Sequence, residues 1–427
     1  MMWSGNFFQG IFSNAMTTSA LQPVPDTSCR RLWPVYFVEG LTSLSSSLLM
    51  VGVFFYTQFR FHWGARQNLL LAAAQGVAYI LGALLADRLT RWLGRIPGLV
   101  LLHVLMAVLG LTGWFAASAT AVTAVLIAYT FMAAANWPVL EGLISTGVDA
   151  HQLSRRIGIY NLVWSGVAAA TLAVNGAIIQ YWLAGVFLLP LLVHCLAVAI
   201  ILIGVPPSPP PTASSVQPRE EPEPQLLQMR QQALWLSRIG LPAVYIVTYA
   251  LVAMMPSLPT IQPLGPTAKT LVGSVWMAAR FGAFLLLGAS VWWHIRPRVI
   301  LAAAALLLVA FIGTTIPVSC LTGRPSAASV DLTWMIGWQV LLGLAMGMIY
   351  CGSLYFGMVL SEGSTEHGGY HEALIGVGQV LGPAVGALVP GGLTGGIAAV
   401  AGLTALAVLA AATTTIVLSR IHRRGIP

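Results

Sequence analysis

Apolar residues fall in long unbroken runs along this chain, and polar residues are confined to the gaps between them. Runs of about 20 residues match the roughly 30 Å hydrocarbon core of a bilayer, which predicts membrane-spanning helices. Twelve are expected, at approximately 34–57, 68–86, 97–117, 121–145, 155–179, 182–205, 233–255, 270–292, 298–318, 331–360, 370–390 and 394–419. Barrel strands would be shorter and would alternate polar with apolar residues. The longest interruption, PPSPPPTASSVQPREEPEPQLLQMRQQ at 206–232, cannot bury enough apolar surface to offset ordering entropy, so it predicts a flexible cytoplasmic linker. The predicted organisation is an all-α membrane protein in two six-helix bundles. A cytoplasmic tail (1–33), a first bundle (34–205), the linker (206–232), a second bundle (233–420) and a basic tail (421–427) succeed one another.

Composition agrees. The chain is 57% hydrophobic and 7% charged, far from the roughly 25% charged of a soluble domain. The net charge of +8 comes mostly from arginines spread over many loops, with no single basic face, so no nucleic-acid partner is expected. Their distribution reports orientation instead. With both termini in the cytoplasm, fifteen of the 20 Lys and Arg residues face it, four lie in outer loops and Arg280 lies within a helix. The expected location is the cell inner membrane, crossed many times. Cys29, Cys195, Cys320 and Cys351 are far apart and form neither a CxxC nor a metal-ligand spacing, so no disulfide framework and no metal site are expected. The N-terminus has no signal-peptide pattern.

Between the second and third helices the sequence reads Gly82-Ala-Leu-Leu-Ala86-Asp87-Arg88-Leu-Thr-Arg91-Trp-Leu-Gly94-Arg95. It resembles the signature loop of the major facilitator superfamily, with a wider gap between its Asp-Arg and Gly-Arg pairs. The resemblance implies twelve helices as two parallel repeats. It also implies a cytoplasmic gate in which Asp87 faces the start of the eleventh helix, where a carboxylate meets unpaired N–H groups and the positive dipole end. Arg88 would face Glu141 at the end of the fourth helix. The matching loop of the second half, Trp292-Trp-His-Ile-Arg-Pro-Arg298, keeps the basic residues and lacks the aspartate. Gly376, Gly378, Gly382, Pro383 and Gly386 on the eleventh helix resemble the antiporter glycine-proline run of the fifth, displaced to the symmetry-related helix; close packing and a kink account for them equally well.

Ionisable groups inside hydrocarbon are expensive and therefore candidate functional groups. Glu39, in the first helix, and Glu372, at the start of the eleventh, are candidate proton-coupling carboxylates; the structural alternative for Glu39 is a pair with Arg280 or with a cytoplasmic arginine. Arg280, in the eighth helix, offers a fixed fork of donors to an anionic or hydroxyl-rich substrate. His103 and His194 lie on helices that the resemblance places against lipid rather than cavity, and a structural role is expected for them. The resemblance also makes Asn136, Trp137, Asn161, Trp164, Gln339, Tyr350 and Tyr355 cavity-lining candidates, because their helices line the cavity in that family. Tryptophan and tyrosine there suit small amphipathic solutes.

HExxH, HxxxxD, GxSxG and Walker motifs are absent, and His371-Glu372 is followed by Ile375 where a zinc motif needs histidine. An enzyme is not expected. The expected function is secondary active transport of a small solute by alternating access, proton-coupled, by a monomer in a lipid bilayer without cofactors. A transporter-like receptor or scaffold is the alternative, and a polytopic membrane enzyme a more remote one.

Overall fold

The computed structural model describes residues 27–145, 150–205, 224–290, 292–296, 298–360 and 365–423. The expected tail up to residue 26, most of the linker (206–223) and the last four residues lie outside them. Among the described residues there is no strand, and eleven helices are long and apolar enough to cross a bilayer. These are α1 (Leu32–Phe61), α2 (Ala65–Leu93), α3 (Arg95–Phe115), α4 (Ala119–Ser145), α5 (Arg155–Tyr181), α6 (Gly185–Gly204), α7 (Gln228–Ser257), α8 (Pro266–Gly288), α9 (Arg298–Thr315), α10 (Ala328–Phe356) and α12 (Gly392–Val417). A further helix, α11 (Thr365–Leu388), completes twelve.

Several boundaries differ from expectation for local reasons. Helical structure continuous with α7 already starts at Pro224, inside the expected linker. Proline is tolerated in a first turn, and the following Gln, Leu, Met and Arg residues are good helix formers. α8 is broken at Ser274 into Pro266–Gly273 and Val275–Gly288. α1 carries a π-helical segment, Ser47–Gly52, in its middle. α2 runs on through the expected signature loop to Leu93, so Asp87 and Arg88 are helical and Asp87 pairs with Arg91 one turn later. Gly94, at φ +87° and ψ 161°, makes the reversal into α3. A side chain is strongly disfavoured in that conformation.

The helices pair in a pattern that repeats between the halves. In the first half α1 packs on α5 and α6, α2 on α4, and α3 on α6; in the second α7 packs on α11 and α12, α8 on α10, and α9 on α12. The halves meet along α2 against α11 and α5 against α8, which exchange under the same pseudo-twofold. Apolar helices gain little hydrophobic drive from one another in lipid, so close van der Waals approach must hold them. Glycine permits it: an added Cβ on Gly82 would run into the Phe131 carbonyl, and on Gly343 into the Trp276 carbonyl. Gly378 and Gly382 lie as closely against the α7 backbone at Pro242 and Ile246. The glycine run of α11 is therefore a packing surface. Exposed Leu81, Leu84, Leu192 and Leu202 face outward between Trp33, Trp92 and Trp292 at one end and Trp114, Tyr181 and Trp182 at the other. That is the arrangement of an apolar band with aromatic girdles at the two interfaces.

His103 on α3 and His194 on α6 do not face lipid. Both are fully buried in the first half, with their Nδ1 atoms 2.9 Å apart. His194 Nε2 lies 3.1 Å from the Tyr129 hydroxyl, which donates to Ser45 Oγ at 2.6 Å. With that hydroxyl donating to serine, His194 donates from Nε2 and accepts at Nδ1 from His103. Four helices are thus joined by neutral donors and acceptors, a cheaper solution in hydrocarbon than ions.

Two outcomes are expected. Replacing His194 by Leu leaves the Nδ1–H of His103 without an acceptor and costs about 1–2 kcal/mol, seen as a lower melting temperature of the purified protein. Replacing Gly343 by Ala forces α10 off α8 and gives a larger thermal destabilisation than Gly402→Ala, where an added Cβ meets open space.

Candidate functional site

A single cavity collects most of the ionisable residues that the helices bury between the halves. Glu39 and Ser43 reach it from α1, Tyr79 from α2, Trp137 and Glu141 from α4, and Tyr160 and Trp164 from α5. Across from them stand Tyr245 and Tyr249 of α7, Trp276 and Arg280 of α8, Tyr350 of α10 and Glu372 of α11. The cavity volume is about 110 Å³. That holds several waters but is below the roughly 300 Å³ of the smallest usual small-molecule pockets.

The charged groups are almost completely withdrawn from water. Glu39 is 1% exposed, Glu372 4%, Glu141 7% and Arg280 3%. Glu39 Oε1 accepts from Ser43 Oγ at 2.9 Å, and its Oε2 has no partner. Glu372 accepts from the Tyr79 hydroxyl, a bond that crosses from α11 to α2. One oxygen of Glu141 has no partner. The Glu39–Arg280 pair, the structural alternative for Glu39, is not among the ion pairs, whereas Asp87–Arg91 is. Arg280 instead lies over aromatic rings, its guanidinium carbon 4.4 Å from the Trp164 ring centre, 5.7 Å from Trp276 and 5.9 Å from Tyr350. Cation–π attraction offsets part of the cost of burying the charge while leaving the in-plane N–H groups available.

The candidates from sequence separate into two groups. Glu39, Trp137, Trp164, Arg280, Tyr350 and Glu372 come together on the cavity. Asn136, Asn161, Gln339 and Tyr355 do not line it. Asn136 is fully buried and faces His103. Asn161 accepts from Trp164 Nε1 at 3.0 Å one turn away on α5 and so orients that ring. Gln339 is fully buried inside the second half. Tyr355 stacks on His294, ring centres 4.0 Å apart, at the end of α10 near the turn between α8 and α9. Burial and the Arg230 charge hold His294 down at about 4. The expected Arg88–Glu141 pair is also absent: Arg88 is exposed, whereas Glu141 points into the cavity. One helical turn separates Trp137 from Glu141, so the two share a face and the cavity takes both. The side chains at the start of α11, which Asp87 was expected to face, lie outside the described residues.

Tyr79, Tyr160, Tyr245, Tyr249 and Trp276 were missed. Two pairs among the lining residues carried a readable signal, because Tyr245 and Tyr249, like Trp276 and Arg280, are spaced four apart and share one helix face. At the end of the molecule away from residues 205 and 224, polar contacts close the cavity. Gln58 donates to the Pro256 carbonyl at 2.7 Å, Lys269 to Gln58 Oε1 at 2.9 Å, and the Gly176 N–H to Thr270 Oγ1 at 2.8 Å. Among the described residues no group of His, Cys, Asp and Glu could hold a metal ion.

The family model of the Major Facilitator Superfamily matches residues 35–368. No curated protein sequence matches the chain. Among solved structures, a mutant of the nucleoside transporter NupG is similar over 90% of this chain and 99% of its own, with a TM-score of 0.64 at 12% identity. A bacterial homolog of the human lysosomal transporter Spinster, inward-facing and unoccupied, gives a TM-score of 0.61 at 15% identity over 93% and 98% of the two chains. The human organic anion transporter MFSD10 gives 0.56 at 14% identity over 91% and 100%. Identities this low speak for the fold alone, but the family model spans most of the sequence, and the chain belongs to the Major Facilitator Superfamily of multi-pass membrane transporters.

Proposed function

We propose that this protein is a secondary active transporter that moves a small solute by alternating access of the central cavity, driven by protons bound at Glu39 and Glu372. The observation that carries the reading is the set of buried carboxylates, Glu39, Glu141 and Glu372, in one cavity with an arginine that none of them neutralises. Like charges withdrawn from water cannot all stay ionised, so protons are the natural counter-charge. When the halves rock and water enters, ionisation becomes cheaper and a proton can leave. The same motion exposes the solute, and this couples the two.

In this reading the protein works as a monomer in the cell inner membrane with both termini and the linker in the cytoplasm, an orientation that the arginine distribution supports. The end sealed by Gln58, Pro256 and Lys269 is then the outer one. Asp87, Arg88 and Arg91 lie at the cytoplasmic end of α2, where they gate the inner side; Glu141 belongs to the proton site instead.

In proteoliposomes with an imposed pH gradient and a small-solute library, solute-dependent proton movement is expected, abolished in Glu39→Gln and reduced at least about tenfold in Glu372→Gln. Solute movement that ignores the gradient and survives Glu39→Gln would leave a uniporter and reject the coupling.

A further inference from the structure

The cavity has donors with nothing to donate to. Arg280 Nε and Nη1 have no hydrogen-bond partner, and neither does Nε1 of the fully buried Trp276, one turn away on the same face of α8. A buried guanidinium without an acceptor is expensive. Its faces are covered by Trp164, Trp276 and Tyr350, so the unpaired donors point along the plane of the fork. Nε and Nη1 lie on opposite edges of the guanidinium, so a carboxylate oxygen meets one of them in a single charge-assisted bond, stronger than a neutral hydroxyl or carbonyl makes. The surrounding walls are flat and unsaturated, with Tyr245 and Tyr249 stacked at 6.2 Å and 27° and Trp164 set edge-on to Tyr350 at 5.5 Å.

Charge then fixes the sign of the coupling. Glu39, Glu141 and Glu372 share the cavity with the one arginine, and an anion added to ionised glutamates would raise the buried negative charge. Tyr79 from α2, Tyr160 from α5 and Tyr245 and Tyr249 from α7 face the cluster as neutral phenols. Tyr350 from α10 completes the set, and His371 on α11 contacts Ser353 and the Tyr350 ring. Arg280 is the one cation among the described lining residues. An anion therefore enters together with a proton and binds more tightly as pH falls. A cation of the same shape would displace a proton and bind more tightly as pH rises.

We infer that the solute is a small aromatic monoanion whose carboxylate takes Arg280 and Trp276 Nε1 and whose ring lies between the aromatic walls, bound together with a proton on the Glu39, Glu141 and Glu372 cluster. This rests on the transport reading above and names its substrate class.

The test is calorimetric titration of the purified full chain with benzoate, nicotinate and indole-3-acetate, with benzylammonium as the cation of matching shape, between about pH 6 and about pH 8, where the acids remain ionised. At least one anion is expected to bind saturably, with affinity rising up to about tenfold per unit fall in pH. Arg280→Gln should weaken it about thirtyfold or more, and Arg280→Lys, which keeps the charge and loses the fixed planar donors, should fall between. Size-exclusion profiles establish that both variants are folded; if the Gln variant is not, the Lys variant decides. The inference is overturned if none of the three anions binds, if anion affinity is unchanged in Arg280→Lys, or if benzylammonium binds and tightens with rising pH. The transport reading fails separately: anions bound through Arg280 with no proton movement in proteoliposomes reject the coupling and the co-bound proton, while proton-driven movement of benzylammonium keeps the coupling and rejects the anion.

Discussion

Charge held out of water between two bundles of apolar helices is the constraint on which the rest of this structure depends. Each buried glutamate must either find donors or take up a proton, and the protein supplies only part of what is needed. Ser43 serves one oxygen of Glu39 and Tyr79 serves Glu372, while Glu141 keeps an oxygen unserved and Arg280 keeps two nitrogens. A molecule selected for stability alone would replace such groups with apolar side chains, as buried ion pairs often can be. Their grouping on one cavity at the seam between two halves is what the proposed transport role accounts for. The contrast with His103 and His194 is informative, because those rings are equally buried and bond to one another without net charge.

The proposed alternating access asks the seam to be tight and yet able to move. Helices that touch through glycine, as α10 does on α8 through Gly343 and α11 on α7 through Gly378 and Gly382, lock backbone to backbone within one half. Between the halves the pattern is mixed. α2 and α11 also approach closely through Gly76 and Gly376, but the far end is held by a few side-chain hydrogen bonds from Gln58, Lys269 and Thr270. Bonds of that kind exchange readily with water, and packed glycine surfaces do not.

Much of the architecture was legible in the sequence because membrane helices are dictated by length and hydropathy, which need no tertiary information. The ends were harder to read. α2 ran through Asp87 to Leu93 because Ala, Leu and Arg favour helix, and only the backbone freedom of Gly94 stopped it. At the site, Glu39, Arg280 and Glu372 stood out by charge in an apolar background. Glu141 was visible, but its place on the cavity was not, since a carboxylate near a helix end reads equally well as facing an arginine outside or a cavity inside. Asn136, Asn161 and Gln339 could not be sorted by type, because a polar side chain in a membrane helix must turn inward whether or not a cavity is there. Which neighbour it meets depends on helix rotation, which the sequence does not carry.

The π-helical segment of α1 gives the first half a mechanical character. Inserting a residue into the helical ladder frees backbone carbonyls and rotates the turns before the segment relative to the turns after it. Glu39 and Ser43, on the earlier turns, therefore meet the cavity, while Gln58, on the later ones, meets the outer seal. Around the segment, the carbonyls of Leu49 and Gly52 are taken by Gln75 of α2 and Asn175 of α5, and Asn68 of α2 holds that of Phe54. All three amides belong to the same half as α1. The irregular turn is thus cross-braced from within, and displacement of the other half breaks none of its bonds. In the proposed alternating-access cycle the first bundle would then travel as one piece, with Glu39 and Glu141 at fixed spacing.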